Sequence, residues 1–307
     1  MAPPLISIGM PVYNCAGTIA QAITSILNQT FTDWELLVID DGSRDRSCEI
    51  AASFGDPRIV VKRGTENRRL PERLNECVGM ARGMYFARMD ADDIAYPRRL
   101  QTELDYLRSH QDVDLVGGWV VVFRGDGIPL GTRRSPLKHD AICARPWSGI
   151  SMAHPTWMGR AEWFIKNPYR LDAMGMEDQE LLFRTHEHSR FANLPEVLLG
   201  YRENSLSLSK SLRARRGMCR MMIRVCREKH MLATGALGLL GLAAKSLIDT
   251  IAIGTGLNYQ LLRHRAPAIR QDEAIEWRTV WEQVRLTCAE VPTDSALPLV
   301  SPQAVDV

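Results

Sequence analysis

Asp90-Ala91-Asp92-Asp93 sets carboxylates at i and i+2 directly after the apolar run Tyr85-Phe86-Ala87-Arg88-Met89. Carboxylates so spaced at a strand end can converge on one hard divalent cation, which takes oxygen ligands and bridges to diphosphate oxygens. A cation held there neutralises charge on a departing nucleoside diphosphate. The plainer alternative is an acidic loop that caps a helix opening at Pro97. Val38-Ile39-Asp40-Asp41-Gly42-Ser43 is a second acidic strand end. A carboxylate there can accept from the imide N–H of a uracil-like base or from a ribose hydroxyl. Gly42 allows a tight turn, and Ser43 or Asp45 can cap the next helix. One of the two acids is expected only to make that turn. Pro11-Val12-Tyr13-Asn14 can present backbone groups and an aromatic face to a base. Glu177 and Asp178, in Gly175-Met176-Glu177-Asp178-Gln179-Glu180, stand where a helix anchored by Leu181, Leu182 and Phe183 begins. They either complement the macrodipole or include a general base for an acceptor hydroxyl. His154-Pro155-Thr156 and Tyr201-Arg202 carry less signal. His186 and His188 diverge on a helix and make no metal pair.

The elements around these residues alternate. Leu5 to Ile8, Glu35 to Ile39, Arg58 to Val61 and Tyr85 to Met89 read as strands. Ile19, Ile23, Ile26 and Leu27 recur at helical spacing, as do Leu70, Leu74 and Val78, with Gly83 as a stop. Another helix runs from Ser43 to about Phe54. Pro97 opens a further helix with Leu100, Leu104 and Leu107 on one face. The alternation predicts an α/β fold, a mostly parallel sheet with helices on both faces. Ligands bind beyond the carboxyl ends of such strands, where both acidic clusters lie. Past Val113 the alternation weakens. Leu115 to Phe123 and Val197 to Leu199 are strand-like, Ser151 to Met158 is a short apolar segment, and 161–167 and 178–188 are helical.

Composition is that of an ordinary globular chain: 307 residues, 45% hydrophobic and 24% charged. A net charge of +2, from 38 basic and 36 acidic residues, argues against nucleic acid as a partner. Seven scattered cysteines, none in CxxC, argue against a disulfide framework or a zinc site. The N-terminus lacks a basic n-region and a long apolar h-region, so a cytoplasmic chain is expected.

Taken in order, PVYN at 11–14, VIDDGSRDRS at 38–47, ENRRLPERLNECVGMARGMYFARMDADD at 66–93, HPTWMGR at 154–160 and EDQELLFR at 177–184 resemble the family-2 glycosyltransferases. The resemblance spans about residues 4–205 and departs at Arg68, where the family commonly has Gly. It implies a GT-A fold and inverting transfer from a nucleotide-diphosphate sugar, UDP-sugar first, in bacterial polysaccharide or glycolipid assembly. The acceptor would be a saccharide or a lipid-linked sugar. By the same resemblance, Asp178 is the base, Asp92 the principal ligand of Mn²⁺ or Mg²⁺, and Asp90 a ribose or metal-shell contact. Asp40, with Asp41 beside it, is the nucleobase contact, and Pro11 and Tyr13 line the same pocket. Arg69 contacts base or diphosphate, and His154 and Glu177 lie near acceptor or diphosphate.

The expected organisation is a catalytic domain over 1–208, a helical region over 209–289 and a disordered tail over 290–307. The basic amphipathic stretch 210–230 leads into the apolar stretch 231–257, long enough to span a bilayer but broken by Lys245 and Asp249. Packing on the catalytic domain and lying on an anionic membrane, at the inner face of the plasma membrane, are the two main readings. Two rival functions share the fold class. A sugar nucleotidyltransferase typically carries a Gly-rich basic loop after the first strand, and residues 11–17 hold no basic residue. A non-catalytic nucleotide- or sugar-binding module has no need of both the DxD-like triplet and the ED pair. An oxidoreductase fails for lack of GxGxxG there.

Overall fold

The structure, a computed structural model, describes residues 2–203, 208–228 and 266–289, with short stretches between 238 and 255. Strands β1 (Ile6–Val12), β2 (Trp34–Asp40), β3 (Ile59–Lys62) and β4 (Tyr85–Arg88) form a parallel block ordered β3-β2-β1-β4. Helices α1 (Ile19–Leu27), α2 (Ser47–Ala52) and α3 (Leu70–Met80) make the crossovers. In β2, Leu36 and Val38 enter one buried cluster while Leu37 and Ile39 enter another. Successive side chains of a strand alternate faces, so a strand apolar at every position must be covered on both. On the first face α1 contributes Ile19, Ile23 and Ile26, all fully buried. Each such side chain is worth about 1.5–3 kcal/mol relative to exposure.

The chain continues through β5 (Ile94–Ala95), α4 (Arg99–Ser109), β6 (Leu115–Phe123), β7 (Pro129–Arg133), α5 (His139–Ile142), β8 (Met158–Arg160), α6 (Ala161–Lys166), α7 (Glu177–Thr185) and β9 (Phe191–Arg202). β8 runs antiparallel between β4 and β6, so β6 regains the direction of the first block, and β9 lies parallel beside it. β5 pairs antiparallel with β9, and β7 with β6. The sheet is therefore mixed but mostly parallel, as the alternation predicts. Strand β9 extends far beyond the expected Val197 to Leu199. Pro195 and Glu196 interrupt its apolar pattern, and the pairing steps from Leu194 opposite Gly118 to Val197 opposite Trp119. Gly118 lies close under Leu198 here: a Cβ would come within 2.4 Å of Leu198 Cδ1 and 2.6 Å of its Cγ, so that side chain would have to shift.

Two long helices follow the sheet, α8 (Leu208–Glu228) and α9 (Gln271–Ala289). Met218, Met221 and Met222 of α8 join the buried cluster that contains Leu181 and Leu182 of α7. Trp277, Val280 and Val284 of α9 pack on Ile94, Tyr96, Val121 and Phe123, and the Trp277 indole N–H donates to Gly127 O at 2.8 Å. Both helices thus share core with the sheet. Much of 231–257, and all of 290–307, lie outside the described residues. Among the described residues no helix is long and apolar enough to cross a membrane.

Candidate active site

Strands β1, β2 and β4 are parallel neighbours, so Pro11 to Asn14, Asp40-Asp41 and Asp90 to Asp93 emerge side by side at their carboxyl ends. The loops are stapled together. Asn14 N–H donates to Ser43 Oγ and Arg44 N–H to Asn14 Oδ1, both at 2.9 Å. Asp45 accepts from Ala16 N–H at 2.9 Å and Ser47 N–H at 3.1 Å. Ser43, a candidate helix cap by sequence, instead bridges to the first loop. Thr18 Oγ1 donates to Ala91 O at 3.0 Å, tying the start of α1 to the acidic triplet.

The two acids after β2 part company. Asp40 is 1% exposed, and its carboxylate accepts from Gly42 N–H at 3.2 Å, Ser43 N–H at 3.1 Å and Gly64 N–H at 3.3 Å. It makes the turn, in which Gly42 takes φ +76° with no room for a Cβ against Glu66. Asp41 faces a cleft of about 350 Å³ shared with Pro11, Tyr13, Arg69 and Glu177. Its carboxylate is held by Arg73 Nε at 2.9 Å and by the N–H groups of Arg68 and Arg69 at 2.6 and 3.0 Å. That grip over-determines a strained backbone. Arg69 sits at φ 74°, ψ 162°, a region otherwise left to glycine. The departure from the family's Gly is at Arg68, and the strain falls one residue later. Across the cleft, Arg69 Nη1 meets Met174 Sδ at 2.9 Å.

Asp90, Asp92 and Asp93 bring carboxylate oxygens within 4.8 Å of one another. Arg88, buried in β4, grips Asp90 with both terminal nitrogens at 2.5 Å. Asp93 is 1% exposed; one oxygen accepts from Arg202 N–H at 2.8 Å and Oδ2 has no partner. Burial, then the charges of Asp90 and Asp92, pushes Asp93 well above the usual carboxylate range. Loss of solvation, then Asp90, pushes Asp92 up to about 6, although its side chain still reaches solvent. Arg202, 109 residues downstream of Asp93 in sequence, completes the loop: Nε donates to Asp92 O at 2.6 Å and Nη2 to Gln21 Oε1 at 2.6 Å.

Glu177 and Asp178 open α7. Glu177 lines the cleft and accepts from Gly175 N–H at 2.7 Å. Asp178 is half-buried, with Gln179 Nε2 at 3.3 Å. Burial pushes both above the usual carboxylate range; Asp178 adds to the effect on Glu177, while Gln179 and Arg88 oppose it at Asp178. His154 is placed differently from a group reaching into the cleft. It is buried, its Nε2 lies 3.0 Å from Tyr169 Oη, and its ring stands edge-on to Trp157. Burial and then Arg88 hold it well below the usual imidazole range, hence neutral. The sequence assigns no role to Arg88, and Asp93 enters it only as the last residue of the acidic cluster. Arg88 reads there as one residue of a strand, and only the tertiary structure sets its cation between the triplet and the ED pair.

The sequence model of Glycosyl transferase family 2 matches residues 7–167. EpsE of Bacillus subtilis, assigned as a glycosyltransferase, is 36% identical over 210 residues, 66% of this chain and 74% of that one. The O-antigen biosynthesis glycosyltransferase WbnJ of Escherichia coli is 30% identical over 216 residues, 67% of this chain and 83% of its own. Among solved structures, residues 1–349 of S. aureus TarS with UDP-GlcNAc align at TM-score 0.60 and 17% identity, covering 92% of both chains. The mannosyltransferase PcManGT of Pyrobaculum calidifontis, with GDP-Man and Mn²⁺, aligns at TM-score 0.57 and 16% identity, covering 94% of this chain and 87% of that one. The fold is of the GT-A type, and the chain belongs to glycosyl transferase family 2, enzymes that use nucleotide sugars.

Proposed function

We propose that the chain transfers a sugar, with inversion, from a nucleotide-diphosphate sugar to a hydroxyl of a saccharide or lipid-linked acceptor. One observation carries the reading: a cleft at the carboxyl ends of β1 and β2 gathers Pro11, Tyr13, Asp41, Arg69 and Glu177, beside the acidic triplet on the neighbouring β4. In this reading Asp41 meets the nucleobase with Pro11 and Tyr13 as its walls, Arg69 meets the base or the diphosphate, and Asp40 supports Asp41 by fixing the turn. Asp90, Asp92 and Asp93 fit a hard cation, Mn²⁺ or Mg²⁺: all three offer oxygen, and Asp93 Oδ2 is buried and unpartnered. Such an ion, when bound, supplies charge neutralisation to the leaving diphosphate. Asp178 takes the proton of the acceptor hydroxyl as its oxygen bonds to the anomeric carbon. The carbon–oxygen bond to the diphosphate breaks on the opposite face, and the nucleoside diphosphate leaves with the electron pair. Glu177 orients the acceptor, and neutral His154 stands behind it through Tyr169.

UDP is the donor nucleotide proposed first, in line with TarS crystallised with UDP-GlcNAc; PcManGT with GDP-Man makes GDP the competitor. WbnJ's name favours assembly of a surface glycan. Peripheral attachment through 210–257 at the cytoplasmic face fits the exposed Ile223, Leu247, Ile248 and Ile251 beside the exposed Arg216, Arg220 and Lys245. Failure to sediment with anionic vesicles would remove that attachment.

The test is product stereochemistry by NMR with Asp178→Asn in parallel. Inversion is expected, with turnover down about 10³-fold and donor affinity retained. Burial raises Asp178, so transfer should fall, as pH drops, at a higher pH than for an ordinary aspartate. Retention of configuration, or near wild-type turnover in Asp178→Asn, rejects the mechanism.

A further inference from the structure

A second cavity, of about 340 Å³, lies past β5, between the start of α4, the middle of β9 and α9. It is apart from the donor cleft and shares no residue with it. Helix α9 and strand β9, which wall it, both lie beyond the stretch matched by the family model.

Its polar groups are unspent. Tyr96 is 3% exposed, and its hydroxyl has no hydrogen-bond partner; Thr102 Oγ1, also shut from solvent, has none either. Buried hydroxyls are normally satisfied, so two orphans in one wall call for a ligand or ordered water. At the rim stand Arg98, Glu196 and Glu276, whose side chains form no hydrogen bond or ion pair with one another or with other described residues. Leu198 and Val280, both buried, give an apolar floor. The frame is fixed: Tyr96 N–H donates to Leu198 O at 3.0 Å, and Gln29 Nε2 donates to Tyr96 O at 2.7 Å.

These groups select among ligand classes. Loss of solvation, then the charges of Glu196, Asp272 and Glu273, pushes Glu276 above its usual range, against the opposing charge of Arg98. A phosphate or nucleotide is therefore disfavoured. Carboxylates that accept, a guanidinium and hydroxyls that donate, and an apolar floor match a pyranose, with hydroxyls around its edge and C–H groups on its face.

We propose that this cavity binds one ring of a neutral saccharide, its hydroxyls shared between Glu196, Glu276, Arg98 and Tyr96. Tyr96 follows Asp93 by three residues, at most about 10 Å of extended chain, a separation within the length of two or three linked sugar rings. That the ring belongs to the acceptor rests on the glycosyl-transfer reading; the binding itself does not.

The experiment is saturation-transfer NMR on the full chain, without donor or cation. The probes are glucose, galactose, N-acetylglucosamine and β-linked disaccharides of each, at millimolar concentration. At least one probe should give signal that UDP does not displace and that Asp92→Ala leaves unchanged. Glu276→Gln should weaken its binding about fivefold, because the amide oxygen still accepts but without the charge that strengthens the bond. Tyr96→Phe, which leaves the ring packing in place, should weaken it less. No signal from any probe, displacement by UDP, or equal binding by folded Glu276→Gln overturns the proposal. A failed transfer assay with saccharide binding intact would instead count against the enzymatic reading alone.

Discussion

Asp40 and Asp41 close β2, and Asp90, Asp92 and Asp93 follow β4, at matching places in one sheet, yet the two groups are satisfied in opposite ways. The first pair is saturated. Asp40 is ringed by backbone N–H groups, and Asp41 by Arg73 and two more. The triplet is starved. It has Arg88 on Asp90 and one backbone N–H on Asp93, with carboxylates crowding each other and Asp93 Oδ2 unpartnered. A saturated carboxylate holds a fold in shape, and at Asp41 only Oδ2, with the Arg69 N–H alone, keeps capacity for a group in the cleft. A starved cluster stores repulsion that a bound cation relieves.

The contrast can be broken by substitution. The largest effect is expected at Asp92→Ala, which should lower transfer by about 10²–10³-fold and abolish its response to Mn²⁺, with the melting temperature of the metal-free protein unchanged or raised. Kinetics with and without Mn²⁺ check this. Asp41→Asn should destabilise by about 2 kcal/mol in denaturant titrations; this is below the roughly 3–5 kcal/mol of a broken buried pair, because Glu76 still neutralises Arg73. The same change at Asp93 should carry the opposite sign. Without cation, Asp93→Asn should stabilise by about 1 kcal/mol, since it removes a charge from the crowd while an amide oxygen still accepts from Arg202. Destabilisation at both positions would erase the distinction.

What the sequence made legible follows the range of the interactions. Strands ending in acids are local patterns, so β1 to β4, the triplet, the ED pair and the α/β class are legible in the sequence itself. That one acid makes the turn is legible in the sequence, but the resemblance puts Asp40 on the nucleobase and the structure turns it inward instead, leaving Asp41 at the cleft, because Gly64 and Arg73, both distant in sequence, claim the two carboxylates. The direction of His154 was not readable, because Tyr169 and Trp157 claim it only in the folded chain. β7 was missed because Pro129 and Gly131 break its pattern, and β5 because two residues make no pattern. Nor did anything in Tyr201-Arg202 announce that Arg202 would clamp the Asp92 backbone while lying over Phe123 and Trp281.

The central claim is that the triplet is a cation site that completes the donor cleft. Calorimetric titration of UDP into the wild-type protein, with Mn²⁺ and then with EDTA, tests it most directly. The account predicts binding that strengthens at least about tenfold, or 1.4 kcal/mol, with Mn²⁺ and loses that gain in Asp92→Ala. UDP binding that is equally tight in EDTA, or a Mn²⁺ gain that survives Asp92→Ala, would contradict it.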